Sequence, residues 1–140
     1  MAEKVILIDG KEVGFRATAL TPRIYRHKMG RDIIRDMNQL KKGYDRAVKS
    51  QNLKKPGEDA TEQELAEYEE AVKEAQLSVL DLEIFENVAF VMARMHDSSV
   101  PGTVEEWLDG FGTFSIYEIL PEILQLWDLN QETTSKSKKK

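Results

Sequence analysis

The stretch VEEWLDGFGTFSIYEILPEILQLWDLN, residues 104–130, decides how the rest of the chain must fold. Between residues 116 and 127 its only polar side chains are Glu118, Glu122 and Gln125, which fall on one narrow stripe of a helix. A surface helix of a globular protein normally carries an apolar stripe on one side only. A helix that is apolar over most of its circumference is either packed deep in the fold or kept for another protein.

Aromatic side chains are concentrated in this same stretch, which holds five of the eleven aromatic residues of the chain. Such side chains are typical of small hydrophobic cores and equally of hot spots at protein interfaces. Gly110, Gly112 and Pro121 predict a flexible joint and a kink around them. We expect the surface that holds a partner or a second copy to include Phe111, Phe114, Tyr117, Leu120, Leu124 and Trp127. Internal packing of the same six side chains remains the alternative.

The composition predicts one globular domain without disulfides. The chain has 140 residues, of which 41% are hydrophobic and 32% charged, and it contains no cysteine. This length is enough to bury a core without covalent cross-links. No apolar run approaches the roughly 20 residues that span a bilayer, and the N-terminus does not follow the pattern of a secretory signal. We therefore expect a cytoplasmic protein with no membrane partner.

Residues 4–18 predict a β-hairpin. The first predicted strand, 4–8, is apolar from Val5 to Ile8 and is followed by Asp9-Gly10. This pair is typical of a type I′ turn, in which both central residues need positive φ. Apolar residues then alternate over 13–17, the period of a half-buried strand. Because a lone hairpin is only marginally stable in water, this one must pack on helices or on another chain.

Two long helices are predicted to follow as an antiparallel pair. Thr21-Pro22 has the composition of a helix start, and Gly43 is a candidate break in the first helix. After a polar loop, Thr61 caps the second helix, which we expect to run without interruption to about His96.

The rest of the chain predicts a short C-terminal helical cluster and a tail. One short helix is expected over 104–108, and the apolar helix begins after Ser115. The sequence thus predicts a mainly α fold: a small N-terminal β-hairpin, a long antiparallel helical pair and a short C-terminal helical cluster. These form a single domain at 1–130, followed by a disordered Lys-rich tail at 131–140.

Charge is distributed unevenly along the predicted helical pair. Residues 23–55 contain eleven Lys or Arg and three Asp, whereas residues 58–86 contain eleven acids and one Lys. One interpretation is a DNA-binding helical regulator that uses the basic first helix to contact phosphates. The other is that two oppositely charged helices pack side by side, with charge facing charge. The sequence favours packing, because the neutralising helix comes next in the chain.

The sequence contains no recognisable catalytic or metal-binding constellation. His27 and His96 have no ligands at the spacing of a zinc site, and no glycine-rich loop carries the lysine of a phosphate-binding loop. Glu69 and Glu70 are adjacent and therefore point in different directions on a helix. These residues favour a non-enzymatic interaction protein without a cofactor or a metal, and an enzyme with an unrecognised site is the remaining alternative.

Two stretches carry a resemblance to a known family. The first is VILIDGKEVGFRATALTPRIYRHKMGRDIIRDM at 5–37, and the second is the close at 104–130 with the Lys-rich tail. With these residues the chain resembles, from end to end, the tail assembly chaperones of long-tailed, siphovirus-type bacteriophages and of prophages of Gram-positive bacteria. The resemblance is one of overall pattern and includes no catalytic motif.

What the resemblance implies is a non-enzymatic role in virus assembly. Such proteins are mainly helical, associate with themselves, and hold the long, aggregation-prone tape measure protein while the tail tube assembles around it. The tail tube protein is a second candidate partner. The resemblance also implies that the protein acts in the host cytoplasm and is absent from the mature virion.

Overall fold

The computed structural model of the chain describes residues 2–51, 55–75 and 77–138. Over these ranges it consists of an N-terminal two-stranded antiparallel hairpin followed by six helices, so the predicted mainly helical fold with its hairpin is confirmed. The elements are, in chain order, β1 (Ala2–Ile8), β2 (Lys11–Ala17), α1 (Thr21–Met29), α2 (Ile33–Gln51), α3 (Glu62–Ala75), α4 (Val79–His96), α5 (Val104–Asp109) and α6 (Ile116–Lys138).

The turn between β1 and β2 forms where the sequence predicts it and is tied to the segment between α5 and α6. Asp9 and Gly10 have φ values of 52° and 76°, as a type I′ turn requires. The Asp9 carboxylate accepts a hydrogen bond from the Gly112 N–H at 2.8 Å, and the Lys11 ammonium donates to the Gly110 carbonyl at 2.6 Å. The hairpin thus holds the glycine joint that the sequence predicts to be flexible.

Helix α4 is the centre of the hydrophobic core. All of its residues from 88 to 93 are buried, and it contacts β2, α1, α2, α5 and α6. β1 packs against α6, where Lys4 contacts both Glu122 and Gln125. The hairpin therefore packs on helices of its own chain, and burial of apolar surface between these elements is the main stabilising contribution.

The predicted uninterrupted helix from Thr61 to about His96 is wrong. Helix α3 ends at Ala75, α4 begins at Val79, and residues 77 and 78 are not helical. Ser78 caps the new helix, α4, by accepting a hydrogen bond at 3.0 Å from the Asp81 N–H. The Asp81 carboxylate in turn accepts a bond at 3.1 Å from the Ser78 N–H. This reciprocal capping box satisfies two backbone donors that a helix start otherwise leaves unpaired, and so it favours a start at Val79.

The first helix also breaks at a different glycine from the expected one. Gly30 has a φ of 66° and ends α1, with its N–H donating to the Arg26 carbonyl at 2.9 Å. Gly43 lies inside α2 and is buried. The left-handed conformation at Gly30 explains the difference, since only glycine adopts it without steric cost.

We expect Gly30→Ala to lower the free energy of unfolding by about 1 kcal/mol, because alanine is strained at positive φ even though its Cβ would meet no atom within 4 Å. Gly57→Ala is the matched control: its Cβ also has open space, and Gly57 has no positive φ. Urea denaturation followed by circular dichroism measures both variants. Equal effects of the two substitutions would contradict the strain at Gly30.

A buried polar network joins α1 to α2. The Tyr25 hydroxyl donates to the Asp36 carboxylate at 2.7 Å, and Arg31 donates two hydrogen bonds to the same carboxylate at 2.8 Å each. Burial, and then the bond to Asp36, raise the pKa of Tyr25. Burial by itself raises the pKa of Asp36, but the hydrogen bonds from Arg31 and Tyr25 outweigh it and hold that pKa below its ordinary value.

Helices α2 and α3 contact each other, but the predicted pairing of their charges is not formed. The ion pairs shorter than 4 Å among the described residues all lie elsewhere, and none of them joins α2 to α3. Every Glu described on α3 from Glu62 to Glu70 is exposed. Helices α2 and α3 thus contact each other without forming ion pairs between their described basic and acidic side chains.

The C-terminal helix extends further than the sequence predicts. α6 continues to Lys138, through residues 131–138, which the sequence analysis places in the tail. No glycine or proline follows Pro121, so the backbone meets none of the residues that most strongly stop a helix. Lys139 and Lys140, the end of the predicted tail, lie outside the described residues.

Candidate protein-interaction site

The six residues predicted to form an interaction surface fall into three classes of burial. Leu120 is 0% exposed and Trp127 5%, so both belong to the core of this chain. Tyr117 is 45% exposed. The other three are half-buried against the core: Phe111, Phe114 and Leu124. The structure therefore does not bring the six onto one surface, and their role in holding a partner stays a prediction.

Phe111 and Phe114 belong to an aromatic cluster centred on Trp107. Their ring centroids lie 5.4 and 5.3 Å from that of Trp107, both in edge-to-face geometry. Phe15 of β2 and Phe90 of α4 approach the same indole at 6.4 and 5.9 Å. Edge-to-face contacts of this kind stabilise a packed cluster beyond the area that they bury. Phe111 and Phe114 therefore help to hold α5 against the core.

Tyr117 begins a partly exposed apolar stripe along α6. Pro121 and Leu124 follow it at i+4 and i+7 and are half-buried, so the three share one face of the helix. We call this set, Tyr117, Pro121 and Leu124, the α6 stripe. The ring of Tyr44 on α2 lies 6.3 Å from that of Tyr117, so α2 forms one border of the stripe. Two of the six predicted interface residues, Tyr117 and Leu124, therefore lie on one partly exposed face of α6.

Two exposed apolar groups lie outside the predicted surface. Val5 and Leu7 are 59% and 68% exposed on the outer face of β1. Val79, Leu80 and Leu82 are exposed at the start of α4. The sequence analysis assigns the latter to the interior of one continuous helix. The Ser78-x-x-Asp81 pattern is the signal that would have revealed a helix start there. Single exposed apolar residues are ordinary, but adjacent ones are typical of contact surfaces.

A row of cations follows one exposed face of α2. Arg35, Lys42, Arg46 and Lys49 recur at i, i+7, i+11 and i+14 and are all exposed, which places them on one side of the helix. None of the four takes part in an ion pair within 4 Å among the described residues. We call these four residues the α2 basic stripe.

A cleft of about 430 Å³ lies where α1, α4 and α5 meet, and Lys28, Glu83, Glu86 and Phe90 are among its lining residues. Burial, and secondarily the charge of Glu83, raise the pKa of Glu86. In the described ranges, no group of three or more His, Asp or Glu side chains is placed to hold a metal ion. Nor is any helix of those ranges long and apolar enough to cross a membrane.

The described part of the chain thus offers partly exposed apolar side chains and a row of cations without ion pairs to other described residues, which are features of surfaces that bind proteins. Within the α6 stripe, Tyr117 and Leu124 are residues that the sequence analysis predicts for the interaction surface. Comparisons of the chain with protein-family models, with curated proteins and with solved structures give no match.

Proposed function

We propose that this protein is a non-enzymatic tail assembly chaperone that binds the tape measure protein of a long-tailed bacteriophage and keeps it soluble while the tail tube assembles. The observation that carries the proposal is the set of adjacent apolar side chains left open on a charged, helical chain. The tail tube protein is a second partner in this proposal. The chaperone acts in the host cytoplasm and is absent from the mature virion.

The client contact in this proposal is the α6 stripe with Tyr44. A stripe with spacing i, i+4 and i+7 matches the face that one amphipathic helix presents to another. Tape measure proteins, as the resemblance implies, are long and aggregation-prone, so their apolar faces need temporary cover. Large, half-exposed aromatic and aliphatic side chains bind many such faces without strict sequence demands.

Co-expression with the tape measure protein tests the proposal. We expect the wild-type chain to move the tape measure protein from the insoluble to the soluble fraction, and Tyr117→Asp with Leu124→Asp to abolish this effect, because a carboxylate cannot be buried against an apolar face without a large desolvation cost. A pull-down measures binding, and circular dichroism of the purified variant measures its fold.

Two controls separate contact from folding. Leu120→Asp places a charge at a fully buried position and is expected to unfold the chain, whereas Glu118→Ala changes an exposed residue of the same helix and should leave binding intact. Tyr117→Asp alone covers the case in which the double variant does not fold. A folded stripe variant that still holds the tape measure protein would disprove the site, and a wild-type chain that fails to solubilise it would disprove the function.

The α2 basic stripe favours one alternative, a DNA-binding helical regulator. Four exposed cations on one helix face are suited to contact phosphates. Such a protein would shift a DNA duplex in a gel at low salt and lose the duplex steeply as salt is added. The chaperone proposal expects no shift.

A further inference from the structure

Helix α3 contacts α2, but its described side chains take no part in the hydrophobic core of its own chain. Among its described side chains, from 62 to 73, none is buried and only Tyr68 and Val72 are half-buried. None of them belongs to the hydrophobic core or packs against it. A helix of 14 residues is marginal in water unless tertiary or quaternary packing stabilises it. Additional packing, beyond the contact with α2, would therefore stabilise α3.

The partly exposed face of α3, on which Leu65 is exposed while Tyr68 and Val72 are half-buried, has a defined chemistry. Leu65, Tyr68 and Val72 form an apolar line at i, i+3 and i+7. Glu62 and Glu69, seven residues apart, flank this line on one side, and both are exposed without an ion pair to any described residue. A suitable partner must present a cationic surface with aliphatic groups between the charges.

The α2 basic stripe is such a surface. Its first and last cations, Arg35 and Lys49, are 14 positions apart, about 21 Å at 1.5 Å per residue. The 14 residues of α3 have about the same length. The four cations are among the residues that line an open groove of about 720 Å³, and all of the lining residues that the structure describes belong to α2. The long aliphatic stems of Lys and Arg cover apolar surface while their charged ends pair with carboxylates. The α2 basic stripe and α3 thus have opposite charge and similar length, and each offers apolar surface that the other can cover.

We propose that a second copy of this chain docks here, with the acidic α3 of each copy lying on the α2 basic stripe of the other. Each chain carries both surfaces, so a two-fold pair makes both contacts at once, as closed dimers do. This contact is separate from the α6 stripe and does not depend on the chaperone function. Nucleic acid is the weaker partner, because phosphates would leave the acidic and apolar faces of α3 uncovered.

Complementary charge reversals test the contact. The basic-stripe variant carries Lys42→Glu and Arg46→Glu, and the α3 variant carries Glu62→Lys and Glu69→Lys. Sedimentation velocity should show a wild-type dimer at low salt that weakens as salt is added. Each variant alone should self-associate on the order of tenfold more weakly or worse. An equimolar mixture of the two should recover a heterodimer, which contacts within one chain cannot produce.

Glu105→Lys with Glu118→Lys is the matched control, since it reverses two exposed acids elsewhere and should leave the dimer unchanged. Circular dichroism confirms that each variant is folded. A monomeric wild type, variants that associate like wild type, or a mixture that does not recover the dimer would each overturn the proposal. The proposal would also be overturned if the wild type bound a DNA duplex and the basic-stripe variant still dimerised but no longer bound that duplex. No tape measure protein is present, so these outcomes do not bear on the chaperone role.

Discussion

Trp107→Ala is expected to destabilise the fold by about 3–5 kcal/mol, a range typical of removing a large aromatic side chain from a core. Trp107 is 5% exposed and its ring meets four phenylalanine rings drawn from β2, α4 and the segment after α5. Truncation would leave a cavity bordered by rings that cannot all move to fill it. Because domains are stable by only about 5–15 kcal/mol in total, this loss should lower the urea midpoint strongly.

Tyr117→Ala is the control for this prediction. Tyr117 is an aromatic residue in the same part of the chain, but it is 45% exposed, so its removal should change stability by less than about 1 kcal/mol. Urea denaturation followed by circular dichroism compares the two variants. Similar stability of Trp107→Ala and the wild type would show that the aromatic cluster is not a packed centre.

Asp36→Ala is the second substitution with a large expected effect, a loss of about 2–4 kcal/mol. It leaves the fully buried Tyr25 hydroxyl without its acceptor, which by itself costs about 1–3 kcal/mol. The two bonds from Arg31 add less than a buried pair would, because the Arg31 side chain is 40% exposed and its charge is screened by water. Asp45→Ala, an exposed aspartate on the same helix, is the control and should be nearly neutral.

The pH dependence of the unfolding free energy of Asp36→Ala shows whether the ionised Asp36 carboxylate is what stabilises the wild type. The folded-state pKa of Asp36 lies below its ordinary value of 3.8, so its ionisation stabilises the fold above that value. This stability is lost as the pH falls below 3.8 through the lowered pKa. The difference in unfolding free energy between wild type and Asp36→Ala should therefore narrow in acid. A difference that stays constant down to pH 3 would contradict the network.

Local signals in the sequence identify much of the fold. Asp9-Gly10 specifies the hairpin turn because few residue pairs accept positive φ twice, and the structure has this turn. Thr103 is a good helix cap by composition, and its hydroxyl accepts from the Glu106 N–H at 3.2 Å. Turns and helix caps of this kind depend on residues that are close together in the chain, so they can be predicted from the sequence alone.

The misjudged features depend on competition between local signals or on tertiary packing. Gly30 and Gly43 look alike in a helical pattern, and only the packed structure decides which one ends a helix. Ser78 and Asp81 form a capping box, but the apolar periodicity around them also suits a continuous helix. For the candidate site, the sequence indicates which side chains are large and apolar. It does not separate buried Leu120 from exposed Tyr117, because burial depends on which elements cover α6.

The packing of β1 against α6 has a consequence for the order in which the protein can fold. β1 is synthesised before α6, so the part of β1 that contacts α6 stays uncovered until that helix has been made, even though β2 can already pack on α4. A hairpin alone is only marginally stable in water. Contacts between such distant parts of a chain slow the folding of a domain. Until α6 has been made, β1 therefore leaves apolar surface exposed, and exposed apolar surface of this kind favours aggregation of a folding chain.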